Sequence, residues 1–413
     1  MKILIANTLY FPDEPGGAEV STRLLAEGLV KAGMDVCVVC ATGTGVDRVE
    51  EMNGVKIHRL RSVNLYWPHQ RQKRGRVAKL IWHAIDVHNV MMSRKLHSII
   101  ESEKPDVIST SNLSCLSIDI WRLANQAGVP IVHTVRDYYL MCPNALMYTR
   151  GKPCTRQCGV CSVYAIPKRA ASSRVSVAVG VSRFALQKHL DSGYFQQAAH
   201  TAVIHNCAEP YEGSAVSPRT RRYEGGPVRL GVLGRVSQEK GLELLLEQLL
   251  ADDTLQWTLA VGGAGDAAYL RALKAKYDDP RVEYLGRVKS DEFYGMIDVL
   301  VVPSIWNEPF GRVTVEAYSH GVPVVAADTG GIPEVIEPRT NLVFEMARPE
   351  TIIGKLHEAV ALLGDPGVHQ RLRDYAARFN RDAMVASYLA LYESVLNDRQ
   401  SSVLYARSRG YTV

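Results

Sequence analysis

Asn307-Glu308-Pro309-Phe310-Gly311-Arg312-Val313-Thr314-Val315-Glu316-Ala317, followed by Gly321-Val322-Pro323-Val324-Val325-Ala326, decides the reading of the chain. Two carboxylates stand eight positions apart, Glu308 in a loop and Glu316 on the helix that follows it. A carboxylate accepts paired hydrogen bonds from vicinal hydroxyls, which is how a ribose or hexose is gripped. The helix start at Gly311, Arg312 and Val313 offers backbone N–H groups and partial positive charge to a phosphate. Surface charge is the plain alternative for any such pair. The Phe310-Gly311 turn and the apolar strand after Gly321 argue against it, because they put both carboxylates at the strand ends where ligands of open α/β sheets sit.

Working outward, short β-rich runs alternate with amphipathic stretches. Strands are expected at 2–6, 35–40, 55–60, 106–110, 129–135, 175–181 and 202–205, with helical spacing over 18–32, 77–102 and 115–127. Apolar periodicity then fails over 208–227, where Glu-Pro, Gly-Ser, Ser-Pro and Gly-Gly-Pro cluster, and this is read as a linker. A second series restarts at 228–233, 257–261, 282–285, 299–303, 323–327 and 341–345. The reading is α/β, two Rossmann-like doubly wound domains facing across a cleft: 1–207, then 228–380, with 381–413 as a helix returning towards the first domain plus a tail.

A length of 413 residues fits two domains, and 46% hydrophobic content argues against disorder. Mean hydropathy is −0.07, and no apolar run reaches the roughly 18 residues of a spanning helix. The opening Met1 to Asn7 reads as a strand, not a signal peptide. The net charge of +5 conceals an asymmetry: residues 1–205 hold 25 Lys+Arg against 15 Asp+Glu (+10), and residues 206–413 hold 23 against 28 (−5). Eight cysteines without disulfide-scaffold spacing point to the cytoplasm.

Two further loops follow strands and open helices. Pro15-Gly16-Gly17-Ala18-Glu19 lets backbone amides approach an anion, or is only a turn that required glycine. Gly234-Arg235-Val236-Ser237-Gln238-Glu239-Lys240-Gly241 carries an Arg fork and a mobile Lys able to converge on a diphosphate, with two solvated cations as the alternative.

Together with Gly262-Gly263-Ala264-Gly265, Gly286-Arg287-Val288, Pro303-Ser304 and Gly330-Gly331-Ile332-Pro333-Glu334, these motifs occur in the order and spacing of family 4 glycosyltransferases, which the chain resembles to about residue 398. The resemblance implies a retaining GT-B enzyme that needs no metal or other cofactor for catalysis and transfers sugar from a UDP- or GDP-sugar to a glycan or lipid-linked acceptor. Surface polysaccharide or glycolipid biosynthesis is the implied setting. Arg235 and Lys240 would hold the diphosphate and steady the leaving group, Glu316 the ribose, and Glu308 the sugar hydroxyls. Phe310, Gly311 and Arg312 would line sugar and phosphates through backbone groups, Val288 would touch the base, and Gly16 and Gly17 would close over the diphosphate. The first domain would receive the acceptor. Retention requires either double displacement or same-face attack assisted by the departing phosphate.

The chain departs from the family at His133-Thr134-Val135-Arg136-Asp137, where Arg136 occupies the place of an expected His beside the donor sugar. Arg136 at a strand's carboxyl end is taken as a site residue. Service by His133 is disfavoured because alternation puts it on the face of Val135, and an impaired site is the third option. A non-catalytic nucleotide-sugar-binding partner of another transferase is therefore kept as the second functional reading. His205-Asn206-Cys207 likewise replaces the family's Pro-Asn-Gly.

Cys142, Cys154, Cys158 and Cys161 crowd one Gly- and Pro-containing loop, so they are candidates for a structural Zn²⁺ clamp, with unlinked thiols or a disulfide as alternatives. The run Arg71, Lys73, Arg74, Arg76 and Lys79 beside Trp67 and Trp82 suits an anionic membrane surface, giving a cytoplasmic, membrane-associated expectation. No nucleic-acid recognition module is visible.

Overall fold

The protein is described by a computed structural model covering residues 1–13, 16–69, 74–208, 223 and 225–408. Pro15, Arg71, Lys73 and most of the expected linker lie outside these residues. The chain divides into two compact units. The first comprises Met1–Met147, Thr155–His205 and Arg381–Val413; the second comprises Tyr148–Cys154 and Asn206–Asn380.

The first unit contains, in chain order, β1 (Lys2–Ala6), α1 (Gly17–Lys31), β2 (Asp35–Thr42), β3 (Arg48–Met52), β4 (Val55–Arg61), α2 (Arg76–Val87), α3 (Val90–Glu103), β5 (Val107–Thr110), α4 (Asp119–Gln126) and β6 (Ile131–Val135). The two-stranded hairpin of β7 (Tyr148–Thr149) and β8 (Lys152–Pro153) intervenes. Then come α5 (Gly159–Ala171), β9 (Val177–Gly180), α6 (Arg183–Asp191) and β10 (His200–Val203). The eight-stranded sheet has the order β10-β9-β6-β5-β1-β2-β4-β3 and is parallel except for β3 against β4. Ile3, Leu4 and Ile5 are all buried, as expected for a central strand covered on both faces.

Three local readings need correction. The helix expected over 77–102 is broken after Val87, because the Asn89 side chain accepts a hydrogen bond from Met92 N at 3.1 Å and caps a new helix. Helix α4 starts at Asp119, since Cys115 and Ser117 adopt positive φ values of 68° and 79°. Trp82 is a core residue, 3% exposed, with Nε1 donating to Tyr66 O at 2.8 Å. It therefore forms no interfacial patch with the cations. Trp67 closes tightly over Gly43.

The second unit runs β11 (Val228–Leu233), α7 (Leu242–Ala251), β12 (Trp257–Gly262), α8 (Ala267–Lys276), β13 (Val282–Gly286), α9 (Ser290–Met296), β14 (Val299–Val302), α10 (Arg312–Ser319), β15 (Val324–Ala327), β16 (Val343–Phe344), α11 (Thr351–Leu362) and α12 (Val368–Ala376). Its parallel sheet has the order β13-β12-β11-β14-β15-β16. Side chains alternate along β14: Val299 and Val301 join a core with Leu245, Trp257 and Leu356, while Leu300 and Val302 join one with Phe293, Tyr318 and Leu372. Helices thus cover both faces, which explains why these strands read as unbroken apolar runs.

The last helix, α13 (Arg381–Ser408), belongs to the first unit. Tyr392 Oη donates to Ser109 Oγ and Tyr388 Oη shares a hydrogen bond with Thr134 Oγ1, both at 2.9 Å. Gly28 of α1 accommodates Val385, whose Cγ2 would lie 2.5 Å from any Cβ at that position.

Candidate active site

In the second sheet β11 is flanked by β12 on one side and β14 on the other, so strand order reverses there and the loops after β11 and β14 diverge to open a crevice at their carboxyl ends. Gly234, Arg235, Val236, Lys240, Pro303, Ser304, Glu308 and Val313 line a shallow recess there. The Arg235–Lys240 and Glu308–Glu316 segments, about 70 residues apart in sequence, therefore meet for a topological reason.

Backbone contacts fix the two loops together. Glu239 O accepts from Ile305 N at 3.0 Å and Trp306 N at 3.1 Å, and Glu308 O accepts from Gly331 N at 2.7 Å. Two glycines make these approaches possible. Gly241 has φ +72°, and a Cβ there would meet Pro303 O at 1.8 Å. Gly330 has φ +61°, and a Cβ would meet Glu308 O at 2.2 Å and Glu308 N at 2.5 Å. An L side chain is excluded at both by conformation and by space.

Each cation of the crevice is held by a carboxylate. Lys240 Nζ lies 2.6 Å from Glu308 Oε1 and over the Trp306 ring at 5.6 Å. Ser304 Oγ donates to the same Glu308 oxygen, and Thr329 Oγ1 donates to Ser304 O at 2.8 Å. Arg235 Nη2 pairs with Glu239 Oε1 at 3.0 Å and Arg312 Nε with Glu316 Oε1 at 2.7 Å. Glu316 also meets Tyr294 Oη at 3.3 Å, and that phenol donates to Val313 O at 3.1 Å. Burial, and then the Glu316 charge, push the Tyr294 phenol well above its usual range, so it stays a donor. Glu308 is buried, whereas Arg235 is largely exposed and able to swing towards a ligand.

Gly311 precedes α10; Thr314 N already donates to Gly311 O at 3.0 Å, so the Arg312 and Val313 amides are the first-turn donors left without an intrahelical acceptor. Phe310 is buried against Phe379, so only its backbone can face the crevice. Val288 follows β13 and is half-buried against the core that holds Phe293 and Tyr318. The structure thus brings Arg235, Lys240 and Glu308 to one recess beside Val313 of α10, and pairs Arg312 with Glu316 on that helix. Ser304, Trp306, Glu239 and Tyr294 contact Glu308, Lys240, Arg235 and Glu316 respectively. Ser304 lay in the Pro303-Ser304 pair and Glu239 within the Arg235–Lys240 motif, whereas Trp306 and Tyr294 carried no sequence signal.

Gly16, Gly17 and Arg136 lie in the first unit. Gly16 has φ −154°, extended backbone, so the turn does not require glycine for its conformation. Arg136 is 8% exposed at the end of β6, and its charge opposes the upward push that burial gives the Tyr392 phenol. His133 is enclosed by Trp121 and Phe195 with Nδ1 at 2.8 Å from Thr110 Oγ1, and burial drives its pKa down to about 3. It is a neutral core residue at any physiological pH.

The zinc clamp is not assembled. Among the described residues no group of three or more His, Cys, Asp and Glu is arranged to hold a metal ion. None of Cys142, Cys154, Cys158 and Cys161 is in a disulfide.

Comparison with known proteins agrees with this architecture. Two doubly wound units of this kind define the GT-B class of glycosyltransferases. Sucrose-phosphate synthase from Thermosynechococcus elongatus superposes with a TM-score of 0.75 over 96% of this chain and 99% of its own, at 19% identity. Anabaena Alr3699/HepE, solved in complex with UDP-glucose, gives 0.63 over 95% and 100%, at 17% identity. Residues 16–207 match the glycosyl transferase 4-like domain and residues 227–361 match glycosyl transferases group 1. An uncharacterized 42.6 kDa protein in the cps region of Klebsiella pneumoniae is 33% identical over 83% of this chain and 90% of its own length. The chain belongs to the group 1, family 4-like glycosyltransferases.

Proposed function

We propose that the chain is a retaining, metal-independent transferase that moves a sugar from a UDP- or GDP-sugar to a glycan or lipid-linked acceptor during surface polysaccharide synthesis. The observation that carries this reading is the meeting of Lys240, Arg235, Glu308 and the α10 start at one strand-order reversal. The cps-region relative supports the polysaccharide setting.

On this reading the donor diphosphate competes for Lys240 and draws Arg235 from Glu239. As the sugar–phosphate bond breaks, negative charge grows on the departing oxygen, where fixed cations stabilise it most. Glu316 and Glu308 accept hydrogen bonds from the ribose and the sugar. Same-face attack is favoured over double displacement because Glu308, the carboxylate nearest the recess, is already engaged by Lys240 and Ser304 and is a poor nucleophile. The acceptor oxygen then bonds to the anomeric carbon as the phosphate leaves with the acceptor proton. The roles of Gly16, Gly17, Val288 and Arg136 rest on the family resemblance.

The test is a panel of UDP-, GDP- and ADP-sugars with isolated cell-envelope glycans and lipids as acceptors, followed by determination of the product's anomeric configuration. Transfer with retention supports the reading. Inversion would overturn the mechanism, and donor binding without transfer to any acceptor would favour a non-catalytic partner subunit.

A further inference from the structure

Glu316 is held from two directions. Arg312, four residues earlier on the same helix, pairs with Oε1 at 2.7 Å, and Tyr294 Oη of α9 lies 3.3 Å from Oε2. The phenol is the donor, because an ionised carboxylate only accepts, and burial keeps it protonated. Its one proton is divided between Glu316 Oε2 and Val313 O, the latter at 3.1 Å.

The second hold decides what the carboxylate can do. A Glu side chain ends in a torsion between sp³ and sp² carbons, which is broad and not confined to staggered wells. A partner on one oxygen therefore leaves the carboxylate plane free to turn, whereas a partner on each oxygen fixes it. Each oxygen has two lone-pair sites. With one taken by Arg312 or Tyr294, each keeps the other for a ligand, and the two remaining sites face the same way. That arrangement suits two neighbouring hydroxyls of one sugar ring.

Tyr294 is itself immobile. It is 1% exposed, and its ring lies 4.8 Å from that of His320 and 6.0 Å from that of Phe293. His320 in turn meets Glu316 O through Nδ1 and Asp291 Oδ1 through Nε2, both at 2.9 Å. Helix α9 thus grips α10 at two points. The Asp291–His320 link ends on the Glu316 backbone, and the Tyr294 hydroxyl reaches its carboxylate.

We propose that Tyr294 is a positioning residue: by fixing the plane of Glu316 it makes the site take ribonucleotides in preference to nucleotides that lack the ribose hydroxyls. The inference rests on the reading that Glu316 accepts from the donor ribose. It adds that the selectivity depends on a buried residue behind the one that meets the donor, and that a deoxyribonucleoside diphosphate sugar is a poor donor.

The experiment is calorimetric titration of UDP and GDP, each as the ribonucleotide and as the 2′,3′-dideoxy form, into wild type, Tyr294→Phe and Asp291→Asn, with circular dichroism to verify folding. The ratio of the two affinities is read for whichever base binds. Phe keeps the ring and its packing and removes the hydroxyl alone. Wild type is expected to prefer the ribonucleotide by about tenfold or more. Tyr294→Phe should cut that preference about fivefold while its affinity for the dideoxy form stays as in wild type. Asp291→Asn, which loosens α9 on α10 without touching the carboxylate, should leave the preference intact. Equal binding of the two forms by wild type, or binding of neither, would remove the reading of Glu316 and this inference with it. A preference retained by folded Tyr294→Phe, an equal loss of both forms in that variant, or a preference lost in Asp291→Asn would overturn the role of Tyr294 alone.

Discussion

Lys240 Nζ and Glu308 Oε1 stand 2.6 Å apart although 68 residues separate them, and the same oxygen accepts the Ser304 hydroxyl. The pair joins the loop after β11 to the loop after β14, and it sets the resting state of the crevice: a cation neutralised until a stronger anion arrives. Lys240→Met is therefore expected to lower kcat by at least 100-fold with a smaller change in donor KM, because Arg235 and the α10 amides remain. Steady-state kinetics on the identified donor will check this. A pure KM effect would mean that Lys240 only binds.

Ser304→Ala removes one of the two groups holding Glu308 Oε1. A buried hydrogen bond to a charged group contributes about 1.5–3 kcal/mol, so the melting temperature should fall by several degrees. Donor affinity should drop about tenfold as Glu308 loses its orientation, whereas Ser304→Thr, which keeps the hydroxyl, should recover part of both. Calorimetric melting and donor titration read these outcomes.

Gly330→Ala should be far more harmful than its size suggests, since the new methyl would sit on Glu308's own backbone. A loss of about 2–4 kcal/mol together with donor binding is expected. Gly354, inside α11 with open space around its Cβ position, provides the contrast: Gly354→Ala should be neutral or stabilising by about 1 kcal/mol. Denaturant titration of both variants measures the difference.

His133 provides a pH signature for the first unit. Its folded pKa of about 3 lies below the unfolded value near 6.5, so between these the unfolded chain binds a proton that the folded chain refuses. Stability should therefore fall as pH drops from about 6.5 towards 3, by up to about 1.4 kcal/mol per pH unit from this group. His189, held near 4 by burial, adds to the same trend. His133→Gln should flatten the slope without abolishing transfer; abolished transfer in a folded variant would restore His133 as a site residue.

Much of this architecture was legible in the chain because parallel strands buried on both faces leave long apolar runs, and because loops at strand ends concentrate Gly, Arg, Lys and Glu. What escaped has physical reasons too. The β3 strand is short and largely exposed, so it carries no apolar alternation, though the Asn53-Gly54 turn that folds it onto β4 was a hairpin signal. Helix α5 holds Pro167 and an exposed aliphatic stripe, a pattern that hides helical period. Trp82 was misassigned because composition cannot tell a tryptophan facing solvent from one hydrogen-bonded into the core. Glu239, Trp306 and Tyr294 are ordinary residues until the strand order puts them beside Arg235, Lys240 and Glu316.

The central claim is that the β11–β14 crevice binds a nucleotide-sugar diphosphate through Arg235 and Lys240 with Glu308 and Glu316 on the hydroxyls. Isothermal titration of a UDP-, GDP- and ADP-sugar panel into wild type, Arg235→Ala and Glu316→Ala tests it most directly. The account predicts that at least one donor binds wild type and that each variant, still folded, weakens that donor by at least tenfold. Failure of every nucleotide sugar to bind, or equal affinity for wild type and both variants, would contradict it.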